Sequence, residues 1–263
     1  MLKLVKPLLI LLLFFNTSLV SQEEVTDETS AKSKGVRTVV IDAGHGGKDP
    51  GCCDGNEKRI ALKIVLALGK KIKEEFPDVK VVYTRKTDVF VTLHERSNIA
   101  NRNKANLFIC VHCNSNPSSH VAGTEVYTMG MHKTNENLEV AKRENAVILQ
   151  ESDYKKNYKG FDINSPLAQI MLANYQNAFM ASSVKLAKKV EKYVKNSTAL
   201  SFRGVKQAGF MVLWETAMPS IYVETGYLTN SDDNASLMTE KGQEEMADAI
   251  FRAFASYKED LEK

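Results

Sequence analysis

Short runs of β-branched and aromatic residues alternate with stretches of helical periodicity along most of this chain, and this alternation constrains the fold more than any other feature. Apolar residues follow Glu57 at spacings of three and four, as on one face of a helix. Strands that alternate with helices predict a layered α/β domain with helices on both faces of a sheet. The predicted strands are Arg37–Asp42, Val79–Thr84, Leu107–Cys113, Thr124–Thr128, Phe210–Leu213 and Ser220–Glu224.

Helix start signals fall between these strands. Ser165 and Pro166 supply a capping hydroxyl and a proline at the first helical position, which predicts a helix from there to about Asn196. Thr239 is expected to cap the last helix, and Thr92–Lys104 is expected to form a polar one. In open α/β sheets, ligands bind beyond the carboxyl ends of the strands, so that edge is where a site is expected.

The chain has 263 residues, of which 43% are hydrophobic and 25% charged, and this suits a globular domain with a full core. We expect one domain, residues 36–263, that functions as a monomer. The formal net charge of +3 is too small to suggest a nucleic-acid partner, which would require a basic stripe.

The N-terminus has the pattern of a secretory signal. Lys3 and Lys6 precede the apolar run PLLILLLFF, and small residues follow as far as Ser21, so residues 1–21 are predicted to be a signal peptide. An uncleaved anchor is the alternative, although a bilayer span needs about 20 apolar residues. Residues 22–35 are too polar to fold and are predicted to be a linker. The protein is therefore expected to be exported, to the periplasm or cell envelope.

Four cysteines in an exported chain raise the question of disulfides. Cys110 and Cys113 are three apart in a predicted strand, so their side chains point to opposite faces. Cys52 and Cys53 are adjacent, and a ring between neighbours is strained. A bond between Cys52 and Cys113 would require two loops to meet. We favour small buried residues without disulfides.

The segment Val39–Gly51 (VVIDAGHGGKDPG) runs from a predicted strand into a glycine-rich loop that contains His45, and such a loop can bind phosphate or a metal. A P-loop requires a hydroxyl residue after Gly47-Lys48, and a dinucleotide fingerprint requires a third glycine two residues after Gly47. Asp49 stands at that position in both cases. The next helix begins about ten residues later, too far for its amides to face the glycines. Phosphate binding is therefore excluded.

Metal binding predicts further ligands at comparable places. His112 closes a predicted strand, and Glu57 lies in the first turn of a helix, on the face of Ile60 and Ala61. Two histidines and one carboxylate form the ligand set of a catalytic zinc site. The alternatives are a solvated Glu57 favoured by the helix dipole and histidines with structural roles.

Glu224 ends the apolar strand SIYVE, at the edge where the metal would lie. A buried carboxylate there suits a general base that acts on water. The alternatives are a carboxylate that caps a neighbouring helix and one that pairs with Arg85 or Arg96.

Seven segments in order resemble the zinc-dependent N-acetylmuramoyl-L-alanine amidases of type 3 and together span most of Val36–Tyr257. They are VVIDAGHGGKDPG, the Glu57-Lys58 helix start, VVYTRKTD, LHERSNIAN, LFICVHCNS, GTEVYT and IYVETGYLTN. The resemblance implies a mostly parallel, mixed six-stranded sheet flanked by helices, of a phosphorylase/hydrolase-like kind. It implies one Zn²⁺ per chain on His45, Glu57 and His112, with Glu224 catalytic. Peptidoglycan is the implied substrate, cut between N-acetylmuramic acid and L-alanine during wall remodelling or daughter-cell separation.

An inserted segment at about residues 130–165 is long for a connection in a compact domain. The resemblance to cell-separation amidases implies a helix there that covers the zinc until an activator protein withdraws it. Glu136, Glu139, Glu144 or Glu151 would then fill the open zinc position, and Glu144 is our candidate. A surface helix with solvated charges is the alternative.

Arg96 and Asn114 are further candidates, for contact with the substrate or with the metal ligands. Two rival functions remain open. A zinc carboxypeptidase or endopeptidase that cuts stem peptides would use the same ligand set. A wall-binding or activator module that has lost catalysis would have a broken site, whereas the three implied zinc ligands and Glu224 are all present in this sequence.

Overall fold

The computed structural model of the protein describes residues 35–131, 133–158 and 176–263. The predicted signal peptide, the predicted linker as far as residue 34 and the Ser165-Pro166 helix start lie outside these residues. Within them, no helix is both long and apolar enough to cross a membrane.

Six strands form one mixed sheet in the order β2-β1-β3-β6-β4-β5. The first four strands in this order run parallel to one another, whereas β4 is antiparallel to β6 and parallel to β5. The predicted α/β class with a mostly parallel six-stranded sheet is therefore confirmed. The strands are β1 (Thr38–Ala43), β2 (Lys80–Tyr83), β3 (Leu107–Asn114), β4 (Thr124–Met129), β5 (Phe202–Ala208) and β6 (Ser220–Tyr227).

One strand prediction was wrong. The apolar run predicted as Phe210–Leu213 is instead a short helix, Met211–Trp214, and the fifth strand is Phe202–Ala208. A short apolar run does not distinguish a strand from a buried helical turn. The actual strand lies at the edge of the sheet, is mostly half-buried and carries polar residues and Gly204, so it lacks the apolar density of a central strand.

Helices fill the intervals between the strands, as the periodicity predicts. Thr92 and Thr239 cap their helices by accepting hydrogen bonds from the amides of Glu95 and Gly242. Gly55 precedes the first helix in a left-handed conformation. The helices are α1 (Asn56–Glu75), α2 (Leu93–Arg102), α3 (Asn135–Asn145), α4 (Tyr154–Tyr158), α5 (Ala181–Ser197), α6 (Met211–Trp214), α7 (Ser231–Leu237) and α8 (Glu240–Glu262).

The two faces of the sheet carry different side chains. Apolar residues of β1, β3 and β6 alternate so that one face packs against α1, α5 and α8. The opposite face packs Phe108 and Cys110 of β3 and Tyr222 of β6 beneath α2, α3 and α6. His112 and Glu224 lie on this second face, at its C-terminal edge, because each lies two residues beyond one of these side chains.

Candidate metal centre

His45 lies in the loop that leaves the C-terminal end of β1. Its φ of 58° is in the left-handed region, which residues other than glycine rarely adopt. Two buried arginines bind the loop carbonyls. Arg85 donates to Ala43 (2.9 Å) and Gly44 (2.6 Å), and Arg96 donates to Ala43 (2.6 Å) and His45 (2.8 Å). These hydrogen bonds hold the strained backbone in place and fix the position of the imidazole.

His112 and Glu57 meet His45 at the edge of the sheet. The two imidazole centroids are 4.6 Å apart, and Gly44 permits this approach because a Cβ there would lie 2.2 Å from His112 Nε2. Glu57 Oε1 lies 2.9 Å from His45 Nε2 and 3.1 Å from His112 Nδ1. Glu57 is only 2% exposed, so it is not the solvated first-turn carboxylate of the alternative interpretation.

A second carboxylate enters this cluster from α3. Glu144 Oε2 lies 3.4 Å from His45 Nε2 and 3.2 Å from His112 Nδ1, and the side chain is buried. The ligand atoms of His45, Glu57, His112 and Glu144 all lie within 4.8 Å of one another. A cavity of about 220 Å³ adjoins them, between the loop after β1 and the residues at the end of α3.

The chemistry of the cluster fits a metal ion. His45 Nε2 and Glu144 Oε2 are buried and make no hydrogen bond to any residue that the structure describes. Imidazole nitrogens and carboxylate oxygens are typical zinc ligands. On the far side of its ring, His45 Nδ1 lies 2.8 Å from Asp49 Oδ2, the contact by which a carboxylate orients a ligating histidine. We therefore regard the cluster as a candidate metal centre.

The charges in the cluster shift its pKa values strongly. Burial raises the pKa of Glu57, but His45 lowers it further, to about 2. Burial lowers the pKa of His45, yet the Glu57 carboxylate, the contact with Asp49 and the nearby Glu144 carboxylate raise it well above its ordinary value. The two neighbouring imidazoles likewise outweigh burial and hold the pKa of Glu144 well below its ordinary value. A positive charge among these carboxylates is therefore strongly favoured.

Glu224 lies beside the cluster and is fully buried. It is opposite His112 in the register of β3 and β6. Neither carboxylate oxygen has a hydrogen-bond partner among the described residues. Burial and the charge of Glu144 raise the pKa of Glu224 well above its ordinary value, although Arg143 opposes this rise. A buried carboxylate with free oxygens can accept a proton from a molecule bound at the centre.

Arg143 of α3 is the cation that approaches Glu224, with Nη2 3.7 Å from Oε1. It also donates to Glu144 Oε1 (2.8 Å) and to Asn114 Oδ1 (2.9 Å). The suggestion that Arg85 or Arg96 pairs with Glu224 is wrong, because both of these bind backbone carbonyls instead.

Arg96 and Asn114, the two further candidates, both contact residues next to the site. Arg96 pairs with buried Asp42 (2.7 Å) and holds the His45 loop, so its donors are directed at the protein itself. Asn114 ends β3 and accepts from Arg143, so it binds α3. The structure therefore brings both residues to the neighbourhood of the metal cluster.

The other acids of the inserted segment lie elsewhere. Glu136 pairs with Arg203 (3.0 Å), Glu139 pairs with Lys142 (2.9 Å), and Glu151 accepts from the Leu93 amide and Tyr158. Of the four acids predicted from the sequence, Glu144 is the one that belongs to the candidate metal centre in the described part of the chain.

The cysteines stay outside the metal cluster. Cys110 donates to Asp42 Oδ2 (2.9 Å) on one face of the sheet, and Cys113 packs in the core on the other. All four cysteines are free thiols, as we expect from their spacing.

Sequence reasoning missed two residues of the site. Asp49 lies four residues after His45 in the same loop, and that spacing could have suggested a partner for the ring. Arg143 directly precedes Glu144 and contacts both Glu144 and Glu224. These contacts depend on where α3 packs against the sheet, which cannot be predicted from the local sequence.

Comparison with known sequences identifies a related family. The family profile for N-acetylmuramoyl-L-alanine amidase, Amidase_3, matches residues 39–256. The N-acetylmuramoyl-L-alanine amidase AmiA of Escherichia coli (strain K12) is 29% identical over 231 residues, which cover 86% of this chain and 78% of AmiA.

Comparison with solved structures gives the same result. The catalytic domain of CwlV, an N-acetylmuramoyl-L-alanine amidase from Bacillus (Paenibacillus) polymyxa var. colistinus, aligns with a TM-score of 0.61 and 29% identity, over 84% of this chain and 97% of that one. The CwlD amidase from Clostridioides difficile, solved in complex with the GerS lipoprotein, has a TM-score of 0.60. It covers 84% of this chain and 98% of its own and, at 21% identity, supports the fold alone.

Proposed function

The chain belongs to the N-acetylmuramoyl-L-alanine amidase family and is a peptidoglycan hydrolase, and on that premise we propose that it is zinc-dependent and cleaves the amide between N-acetylmuramic acid and the L-alanine of the stem peptide. We assign one zinc ion per chain to His45, Glu57 and His112, and we assign the catalytic carboxylate to Glu224.

One observation carries these assignments. The ligand atoms of His45, Glu57 and His112 lie within 4.8 Å of one another, and Glu224 is opposite His112 in the adjacent strand with both of its oxygens unpartnered among the described residues. These side chains come from four separate elements, so their meeting is a property of the fold and not of a local motif. Such a set suits a metal-assisted hydrolysis.

The protein groups have distinct roles in this proposal. When bound, zinc supplies Lewis-acid chemistry, since it polarises a carbonyl and lowers the pKa of water. Glu224 takes the proton of the attacking water and transfers it to the departing amine of L-alanine. Asp49 keeps the His45 ring in the orientation that presents Nε2, and Arg85 and Arg96 hold the backbone beneath it.

We further propose that the enzyme is exported and acts in the periplasm or cell envelope. Its substrate lies outside the cytoplasm, and the predicted signal peptide at residues 1–21 is consistent with that location. Wall remodelling or daughter-cell separation is the process that such an activity would serve.

We infer that the described conformation is an inhibited one. Glu144 lies where a fourth ligand or the substrate would approach, and Arg143 beside it is directed at Glu224. Substrate and Glu144 would therefore compete for the same space. Withdrawal of α3 by a partner protein would open the centre, and the CwlD structure with its lipoprotein is a precedent for a partner on this fold.

Metal dependence of the purified protein tests this function. Wild-type protein should release soluble fragments from purified peptidoglycan, lose the activity after treatment with a chelator and regain it with Zn²⁺. Glu224→Gln should bind zinc normally and lower the rate by at least about 10²-fold, the usual scale for loss of a general base. Full activity in the chelated protein or in the Glu224→Gln variant would contradict the proposal.

A further inference from the structure

Tyr222 carries a hydroxyl that has no hydrogen-bond partner among the residues that the structure describes. The residue lies in β6 two positions before Glu224, so the two side chains project from the same face of the sheet. The side chain is 1% exposed, and its hydroxyl makes no hydrogen bond to any described residue. A buried hydroxyl without a hydrogen bond destabilises the fold, so such groups are rare in native proteins and usually have a specific reason.

The other buried side-chain atoms without a hydrogen bond lie at the candidate site. Among the described residues, the buried side-chain oxygens and nitrogens without a hydrogen bond belong to His45, Glu144, Tyr222 and Glu224. Three of these four residues are already part of the candidate site. Two buried tyrosines nearby are satisfied, since Tyr127 and Tyr227 both donate to Glu125. Unpartnered polar atoms are therefore concentrated at the site, and Tyr222 belongs to that group.

The ring of Tyr222 is held rigidly next to a metal ligand. It stacks on His112 with centroids 4.4 Å apart at 24°, and on Phe210 with centroids 4.1 Å apart at 17°. In the sheet register, Cys110 is opposite Tyr222 just as His112 is opposite Glu224. Because the ring is fixed between His112 and Phe210, it presents its hydroxyl in one direction, as a preorganised donor requires.

We propose that the Tyr222 hydroxyl binds the substrate and donates a hydrogen bond to the oxygen of the scissile carbonyl. The inference rests on the proposed amidase function. As the water oxygen bonds to the carbonyl carbon, the π electron pair moves onto this oxygen, while Glu224 holds the water proton. When the C–N bond breaks, the pair returns to re-form the carbonyl, and the amine leaves with that proton. The phenolic O–H of tyrosine is a hydrogen-bond donor, so Tyr222 can supply the hydrogen bond.

The test compares Tyr222→Phe with wild type in the full chain, with zinc-loaded protein and a muramoyl-peptide substrate. Since removal of one oxyanion donor typically lowers kcat by about 10²–10³-fold, we expect a fall of at least about 10-fold in kcat, with KM changed less than about threefold. Zinc affinity, measured by competition with a chromophoric chelator, should not change. Tyr257→Phe, a buried tyrosine in α8 far along the chain from the site, is the matched control and should keep wild-type kcat.

The outcomes separate the two proposals. Because the removed hydroxyl has no hydrogen-bond partner in the described part of the chain, Tyr222→Phe should unfold at a temperature no lower than wild type, and a destabilised variant would contradict its unpartnered state. An active wild type with an equally active Tyr222→Phe would overturn the role of Tyr222 alone. A loss in Tyr222→Phe that accompanies weaker zinc binding would assign it to packing on His112 instead. A wild type that releases no L-alanyl peptide would overturn the amidase function, and the inference with it.

Discussion

His45 is held in position by three side chains that do not belong to the candidate metal centre: Asp49, Arg85 and Arg96. Asp49 contacts Nδ1, and Arg96 binds the carbonyls on either side of Gly44. Arg85 adds a bond from the loop to Lys58 at the start of α1, so the loop and the helix that carries Glu57 are tied together. The geometry of the cluster therefore depends on buried polar residues that would not bind the metal themselves.

Asp49→Asn tests the orienting contact. The amide can still accept from His45 Nδ1 but carries no charge, so we expect zinc affinity to fall by about 10–100-fold, the usual cost of losing such a partner. Competition with a chromophoric chelator measures this. Asp78→Asn is the control, because Asp78 is exposed and pairs with Arg37, far along the chain from the site. Equal affinities in Asp49→Asn and wild type would show that the ring needs no orienting carboxylate.

The buried pair of Asp42 and Arg96 predicts a dependence of stability on pH. Burial raises the pKa of Asp42, but Arg96 and hydrogen bonds from Cys110 and Thr84 leave it below its ordinary value. A carboxyl whose pKa is lowered on folding stabilises the fold above its unfolded pKa of about 4, and this contribution is lost as the pH falls further.

Asp42→Asn should remove that dependence. Breaking a buried ion pair costs about 3–5 kcal/mol, so we expect the variant to have a lower free energy of unfolding at neutral pH. Between about pH 4 and pH 2 its stability should also fall less steeply than that of wild type. Urea unfolding at a series of pH values measures both. Parallel pH profiles would show that Asp42 does not contribute in this way.

At the scale of elements, α3 carries Glu144 into the candidate metal centre. Thr134 caps it by accepting from the Asn137 amide, and Asn145 at its end binds Gly209 and Met211 next to α6. The resemblance to cell-separation amidases implied a helix in this segment. The sequence named Glu144 as one of four candidate acids but could not show that it is the one that reaches the centre, because that depends on how the anchored helix is rotated against the sheet.

Glu144→Ala should raise basal hydrolysis of peptidoglycan, because it removes the carboxylate that competes with substrate at the centre. We expect an increase of about 10-fold or more, which corresponds to about 1.4 kcal/mol of competing interaction. Initial rates of fragment release measure it. Glu139→Ala, on the same helix but exposed and paired with Lys142, should leave the rate unchanged. A folded Glu144→Ala variant with the wild-type rate would contradict the inhibition, as would deletion of about Glu136–Asp153 without a gain in rate.

At the scale of the whole molecule, the parallel strands determine where the chemistry is. The C-terminal ends of β1, β3 and β6 lie at one edge, and His45, His112 and Glu224 come from those ends. This arrangement could be predicted because central strands are uniformly apolar and end abruptly at polar residues. The position of the edge strand β5 could not be predicted, since its residues are half-exposed and mixed in polarity. Contacts between distant elements, such as Arg143 with Glu224, have no local signature at all.

Identification of the bond that the enzyme cleaves is the most direct test of the proposed amidase activity. Purified protein, loaded with zinc, would be incubated with purified peptidoglycan and with isolated muramoyl-peptides, and the products identified by mass spectrometry. We predict that wild-type protein releases free stem peptide with an N-terminal L-alanine and leaves intact N-acetylmuramic acid. Neither product should form with Glu224→Gln. Cleavage between amino acids of the stem peptide would contradict this prediction.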